Sequence, residues 1–193
     1  MISDSALKQL FTEARTHNGW LEKDITDDLL HKIYDAAKFG PTSANCSPLR
    51  VIFVKSDEAK EKLKPCLAPA NVDKSMTAPV VAIFGDDFAF YDHLPKLFPH
   101  ADAKSWFVGN DALINSTAFR SGTLQGAYFM LAARAFGVDV GPMSGFDNAM
   151  VDEIFFKGTQ IKSNFICNLG YGDHSKLYPR SPRFEFEDVC KVV

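Results

Sequence analysis

The chain has 193 residues, a net charge of -3 and a hydrophobic content of 46%, with 17 phenylalanines. This length and composition suit one large folded domain over residues 1–193 and exclude a disordered chain. The slight acidity and the lack of a long basic run argue against nucleic acid or an anionic membrane surface as a partner.

The cysteines and histidines show no metal-ligand spacing. The four cysteines at positions 46, 66, 167 and 190 form no CxxC pair, so we predict free thiols and no metal site. The first residues lack a basic-then-apolar leader, and no apolar run reaches membrane-spanning length. We therefore expect a cytoplasmic protein without membrane contact.

Helices and strands alternate through the first half of the chain. Apolar spacing predicts a helix over 5–15, and Thr26 with the acids after it predicts a capped helix that ends before Gly40. LRVIFVKS (49–56) reads as a strand, and DEAKEKLKPCLA (57–68) as a helix broken near Pro65. APVVAIFGDD (78–87) is apolar on both faces, which predicts a central strand.

The second half begins with an irregular aromatic segment over 91–109. A long helix is predicted from Asn110 to Phe136, ended by Gly137, and its small residues suit close approach by another backbone. GPMSGFD (141–147) reads as a turn-rich loop, 148–156 as a short helix, 162–173 as a strand and 177–193 as an extended tail. The order of elements favours an α+β fold over a doubly wound one.

The common cofactor and catalytic motifs are absent. There is no GxGxxG after a strand, no P-loop, no HExxH and no GxSxG. A Cys-His dyad stays open as an alternative because its partners would meet only in space. Polar residues instead gather in five short clusters at 14–20, 41–48, 71–74, 141–145 and 179–183. Their arginines suit a phosphate, and their amides and hydroxyls suit a heterocycle edge or a polyol.

These clusters, in this order, resemble the FMN-dependent nitroreductase family over essentially the whole chain. The matching residues are Arg15-Thr16-His17, Pro41-Thr42-Ser43 with Asn45, Asn71 with Lys74, Pro142-Met143-Ser144-Gly145, and Arg183. Departures are His17 in place of serine, Gly19 in place of a second cation, Ser47 in place of glutamine, and Arg180 one position from the expected tail cation. ARTHNGW, GPTSANCSP and LGYGDHSKLYPRSPR further resemble the subgroup of malonic semialdehyde reductase and the proteins named "Putative NADH dehydrogenase/NAD(P)H nitroreductase".

The resemblance implies a site of known layout. It predicts a mixed, mainly antiparallel sheet flanked by helices, in a homodimer that exchanges its C-terminal tails. It assigns the FMN phosphate to Arg15, His17, Arg180 and Arg183, and the reduced ring to Lys74, with Asn71, Pro142, Met143, Ser144 and Gly145 nearby. It implies that Pro41, Thr42, Ser43 and Asn45 reach the FMN of the partner subunit.

The resemblance also implies an activity, namely ping-pong hydride transfer from NADH or NADPH through flavin N5 to a small acceptor, with no catalytic side chain required. The acceptor it suggests is malonic semialdehyde, reduced to 3-hydroxypropionate. A broad nitro, quinone or enal reductase is the alternative, and a flavin-binding protein without turnover is another. A thiol enzyme built on Cys46 would be colourless and sensitive to iodoacetamide.

Overall fold

The computed structural model describes all residues, 1–193. Its helices are α1 (Asp4–Leu7), α2 (Asp27–Ala37), α3 (Asp57–Leu63), α4 (Pro69–Met76), α5 (Leu94–Leu97), α6 (Asp111–Ala135), α7 (Asn148–Phe155) and α8 (Phe186–Val189). Its strands are β1 (Leu49–Val54), β2 (Val80–Asp87), β3 (Asp139–Met143) and β4 (Ile161–Gly170). None of the helices is long and apolar enough to cross a membrane.

The four strands form one sheet in the order β1-β2-β4-β3. Every pair is antiparallel, so the α+β prediction is confirmed and the mixed sheet is not observed. All eight residues of β2 are buried, as expected for a central strand. The reason is that helices cover both faces of the sheet.

Alternation along β2 divides the core into two layers. Val80, Ala82 and Phe84 pack with α2 and α6, whereas Val81 and Ile83 pack with α3 and α7. This is the two-residue period of a strand buried on both sides. A third apolar cluster, which includes Phe90, Phe107 and the buried Cys46, fills the aromatic segment after β2.

Helix α6 confirms the predicted long helix, and Asn110 caps it through a bond from Leu113 N to Asn110 Oδ1. Three other expectations were wrong in detail, and one helix had not been predicted. Residues 139–143 form strand β3 because they pair with β4, residues 69–76 form a helix that the sequence analysis did not assign, and the tail contains α8. The N-terminal helix changes at Lys8–Thr12 into a π-helix, where Glu13 N bonds Lys8 O.

Candidate functional site

Four arginines share one open cavity of about 550 Å³. It is lined by Phe11, Thr12, Ala14, Arg15, Thr16, Asn18, Arg134, Tyr178, Pro179, Arg180, Ser181 and Arg183. Hence the structure brings together the predicted Arg15, Thr16, Arg180 and Arg183. We call this site the arginine cavity.

No acidic side chain lines the arginine cavity. None of its four arginines forms a salt bridge anywhere in the chain, and their recorded bonds go to backbone carbonyls. Arg15 donates to Tyr178 O, and Arg180 Nη2 donates to Ala14 O over 3.1 Å. Four like charges repel one another, and the one carboxylate whose charge acts on them, Asp139 on Arg134, does not line the cavity. The arrangement therefore suits an anion with several acceptor oxygens.

The 14–18 segment, which lines part of this cavity, is attached to strand β3 at one end of the sheet. Thr16 bridges Val140 of β3, and His17 N donates to Val140 O over 3.1 Å. Val140 pairs with Leu169, which in turn pairs with Val80 at the start of β2. The cavity therefore lies beside the first residues of the central strand.

His17 is only 2% exposed, and its side chain is not among those that line the cavity. Its Nε2 lies 3.5 Å from Asp139 Oδ1, and its ring packs against Trp20 and His174. Burial lowers the pKa of His17 from its usual value, and Asp139 opposes that effect. His17 therefore packs inside the protein behind the 14–18 segment and does not line the cavity. Its contact with a cofactor stays a prediction.

Asn18 joins the arginine cavity to the predicted ring contacts. Lys74 Nζ donates to Asn18 Oδ1 over 3.4 Å, and burial lowers the pKa of Lys74. The carbonyl of Lys74 accepts bonds from Trp20 Nε1 (2.8 Å) and Asn168 Nδ2 (3.0 Å), which fixes this turn of α4. The sequence analysis did not select Asn18, although it lies inside the 14–20 cluster.

The two remaining predicted clusters on this side also touch. Asn71 Nδ2 donates to Gly145 O over 2.8 Å. A Cβ at Gly145 would lie 2.6 Å from Asn71 Nδ2, so this close approach requires glycine. Pro142 and Met143 end β3, and Ser144 follows them beside an open pocket lined also by Leu67 and Phe146. Residues 14–18, 71–74, 134, 141–145 and 180–183 thus form one continuous region.

The loop of residues 41–48 lies elsewhere, at the opposite end of the sheet. Pro48 O accepts from Asp87 N, and Leu49 pairs with Asp86 at the far end of β2. Six residues separate Val80 from Asp86, which is about 20 Å along an extended strand. The predicted Pro41, Thr42, Ser43 and Asn45 therefore do not meet the arginine cavity of their own chain.

This loop is rigid because many of its polar groups are bonded within the chain. Ala44, Asn45 and Ser47 have φ angles of 49°, 50° and 42°, a region that costs L residues free energy. Ser47 N donates to Thr42 Oγ1 (3.1 Å), and Asn45 Nδ2 donates to Leu97 O (2.9 Å). These bonds hold a strained backbone in one shape.

Cys46 does not fit a nucleophile. It is fully buried, and burial raises the pKa of its thiol. A reactive cysteine needs a thiolate that a substrate can reach. The burial of Cys46 therefore argues against the thiol-enzyme alternative.

Comparison with known proteins shows the family to which the sequence is similar. The family model described as "Nitroreductase family" matches residues 13–171. A Burkholderia lata protein named "Putative NADH dehydrogenase/NAD(P)H nitroreductase" is 63% identical over 191 residues, covering 99% of this chain and 98% of the relative. A Ralstonia pickettii protein with the same description is 61% identical over 196 residues and covers both chains fully.

Solved structures show the same fold at low sequence identity. A "putative nitroreductase" from Bacillus subtilis has a TM-score of 0.85 at 20% identity, covering 99% of this chain and 100% of the other. An Exiguobacterium sibiricum protein, solved in complex with FMN, has a TM-score of 0.85 at 20% identity and covers 100% and 99% of the two chains.

Proposed function

The chain belongs to the nitroreductase family, and we propose that it is an FMN-dependent NAD(P)H oxidoreductase whose sites are completed by a second copy of the chain. The observation that carries the proposal is the arginine cavity, with four unpaired guanidinium groups and no carboxylate. A phosphate monoester is the anion that such planar donors bind best, because each can give two parallel bonds.

The residues present fit FMN from the phosphate to the ring. Arg15, Arg180 and Arg183 would hold the phosphate, and Thr16 would add a hydroxyl. Lys74 and Asn71 would hold the ring, since Asn18 connects them to the cavity. When bound, FMN supplies hydride transfer between the nicotinamide and the acceptor.

The chain's own groups would then tune charge and exclude water. The Lys74 ammonium, partly desolvated, would stabilise the negative charge that develops on a reduced ring. The backbone at Ser144 and Gly145 would lie along the ring edge, and Asn71 fixes its position. No side chain acts as a nucleophile in this proposal, and NAD(P)H and the acceptor use one pocket in turn.

The position of the 41–48 loop supports a homodimer. About 20 Å of strand separates it from the arginine cavity of its own chain, so Pro41, Thr42, Ser43 and Asn45 would serve the cavity of the second copy. Helix α6 leaves Phe119 and Leu124 exposed, and Tyr128 beside Gly40 is half-exposed, which offers an apolar contact face.

The groove between α2 and β1 is a candidate seat for the C-terminal arm, residues 184–193. The arm exposes Phe184 and Phe186 and carries Glu185, Glu187 and Asp188. Two pockets that share Tyr34 line this groove with apolar groups and with four cations, Lys38, Arg50, Lys55 and Lys96. Lys38, Arg50 and Lys55 already pair with aspartates of their own chain, so the apolar groups are the main match for the arm. We therefore place the arm of one copy on this groove of the other.

The arm can be tested without touching the arginines. A Phe184→Ser/Phe186→Ser variant should weaken the dimer at least tenfold in sedimentation, because two aromatic anchors are lost. A Leu21→Ser control changes an exposed apolar residue that lines neither pocket and lies on neither α2 nor α6, and should leave the dissociation constant within about threefold. A monomeric wild-type protein would overturn the dimer proposal.

For the acceptor we propose malonic semialdehyde, reduced to 3-hydroxypropionate; the resemblance of the motifs supports it. A broad nitro, quinone or enal reductase is the alternative. An aldehyde would need a proton at its carbonyl oxygen. The buried His17 is a poor proton donor. His100 is the better candidate, because it packs on Phe98 in the aromatic segment, where Leu97 O accepts a bond from Asn45 Nδ2. A cytoplasmic location, where NAD(P)H is available, is part of the proposal, as is a single cofactor-binding domain over 1–193.

A visible spectrum of the purified protein, before and after anaerobic NADH or NADPH, tests the proposal. We expect flavin bands that bleach, and malonic semialdehyde and a nitroarene can then compete to restore them. Bands that persist would favour a flavin-binding protein without turnover. A colourless protein that ignores added FMN would contradict the proposed function.

A further inference from the structure

Arg134 lies in no sequence cluster, yet it lines the arginine cavity with the three predicted arginines. It sits in the last turn of α6, 25 residues long, and is the one cavity arginine within a regular helix. Arg180 and Arg183 belong to an exposed extended tail. Arg134 therefore holds its charge on the most rigid support in the site.

The π-helix at Lys8–Thr12 clamps Arg134 from both sides. Arg134 Nη1 donates to Leu10 O over 3.2 Å, and Gln9 Nε2 donates to Arg134 O over 2.6 Å. Leu10 lies in the last turn of this helix, where carbonyls lack a helical donor, and its carbonyl accepts from Arg134 instead. The guanidinium is thus oriented before any ligand arrives.

Arg134 also offsets the partial negative charge at the C-terminal end of α6 beside the cavity. The C-terminal end of a long helix carries partial negative charge, which repels an anion. The side chain of Gln9 also reaches Ala135 O at 3.4 Å, so it covers the last carbonyls of α6. The guanidinium of Arg134 turns the net charge of this helix end positive.

Residue 19 provides no cation, because it is glycine. Any Cβ there would lie 2.7 Å from Lys176 Cγ, so a longer side chain would displace Lys176. Position 19 therefore adds no positive charge, and Arg134 on α6 is the fourth arginine of the cavity.

We propose that Arg134, oriented by its bond to Leu10 in the π-helix, is a binding residue for a phosphate monoester dianion. The proposal rests on the proposed function, because the ligand is the 5′-phosphate of FMN.

Riboflavin separates a phosphate contact from a general structural effect, because it carries the same ring without the phosphate. We expect Arg134→Gln to raise the FMN dissociation constant at least tenfold in fluorescence quenching, with riboflavin unchanged within about twofold. Arg134→Lys should lose about threefold, because the charge stays and the planar donor pair is lost. Lys32→Gln, on the exposed side of α2, is the charge-matched control and should bind both flavins as wild type does.

Gln9→Ala tests the clamp while all four charges remain. It should weaken FMN about threefold and leave riboflavin unchanged, and it also serves if Arg134→Gln fails to fold. Equal losses for FMN and riboflavin, or an unchanged FMN constant in a folded Arg134→Gln protein, would overturn the proposal. Failure of the wild type to bind FMN would instead contradict the proposed function, and inorganic phosphate would then test whether Arg134 binds phosphate. A phosphate-dependent rise in Tm that Arg134→Gln abolishes would support the proposal. An equal rise in both proteins would overturn it.

Discussion

The arginine cavity and the 41–48 loop carry opposite physical signatures, although both were predicted to bind one cofactor. The cavity gathers four positive charges that bond to backbone carbonyls and form no salt bridge. The loop bonds Ser47 N and the Asn45 side chain inside its own chain, and spends free energy on positive φ angles. One region is incomplete until an anion binds, whereas the other is complete as it stands.

This difference indicates different tasks. An unsatisfied cationic cavity supplies affinity, because binding relieves repulsion as well as forming bonds. A preformed strained loop supplies shape, because its conformation is fixed before it meets a ligand. Substitutions in the two regions should therefore affect affinity and folding in opposite ways.

The largest expected effect comes from removing cavity charge. Arg15→Gln/Arg183→Gln removes two charge-assisted contacts, so FMN affinity should fall at least a hundredfold, or about 3 kcal/mol. The Tm of the cofactor-free protein should stay equal or rise, because repulsion is relieved. Quenching titration and calorimetry measure the two quantities. A clear fall in that Tm would show that the arginines stabilise the fold and would blur the contrast between the regions.

Asp86, at the loop end of β2, should make stability depend on pH. Burial raises the pKa of Asp86 from 3.8 to about 7, and its Oδ1 has no partner. The folded state therefore holds a proton that the unfolded state releases, so stability falls as pH rises from about 4 to 7. Asp86→Asn should keep the bond from Asn164 and be about 2–3 kcal/mol more stable than wild type at pH 8.

The pH test has a built-in control at acid pH. Near pH 3 the wild-type carboxyl is mostly protonated in both states, so the two proteins should differ little there. Urea unfolding at both pH values provides the comparison. Equal stability of variant and wild type at pH 8 would mean that folding does not raise the pKa of Asp86.

Backbone strain at Ala44 predicts that glycine there does not lower the unfolding free energy, the opposite of its usual effect within a helix. Ala44→Val places a β-branched residue at a φ of 49° and should cost about 1–3 kcal/mol of unfolding free energy. Ala44→Gly relieves the strain and should be neutral or stabilising. Ala36→Gly on exposed α2 should cost about 1 kcal/mol, as is usual within a helix. Similar losses for both glycine variants would argue against strain at Ala44.

The smallest expected effect is on thiol chemistry. Iodoacetamide should label the exposed Cys190 and spare the buried Cys46, with activity unchanged. Mass mapping of the labelled peptides measures this, and Cys190→Ser should abolish labelling of the native protein. Inactivation that follows modification of Cys46 would restore the thiol-enzyme alternative.

The sequence by itself determined the elements and the chemical character of the site. A β2 segment apolar on both faces had to be central, and Asn110 and Gly137 bounded α6 because capping is a local effect. Arg15, Lys74 and Gly145 could be selected because small polar clusters between apolar segments are visible in one dimension.

Tertiary structure decided which of these residues meet. Strand β3 forms at 139–143 because β4 pairs with it, and no local pattern at Gly141 and Pro142 favours a strand. Arg134 reaches the cavity because α6 ends beside the π-helix, a contact across more than a hundred residues of chain. The same sheet sends Arg15 and Asn45 to opposite ends, because antiparallel pairing fixes where each loop emerges. Local sequence sets conformation and charge, but only packing sets distance.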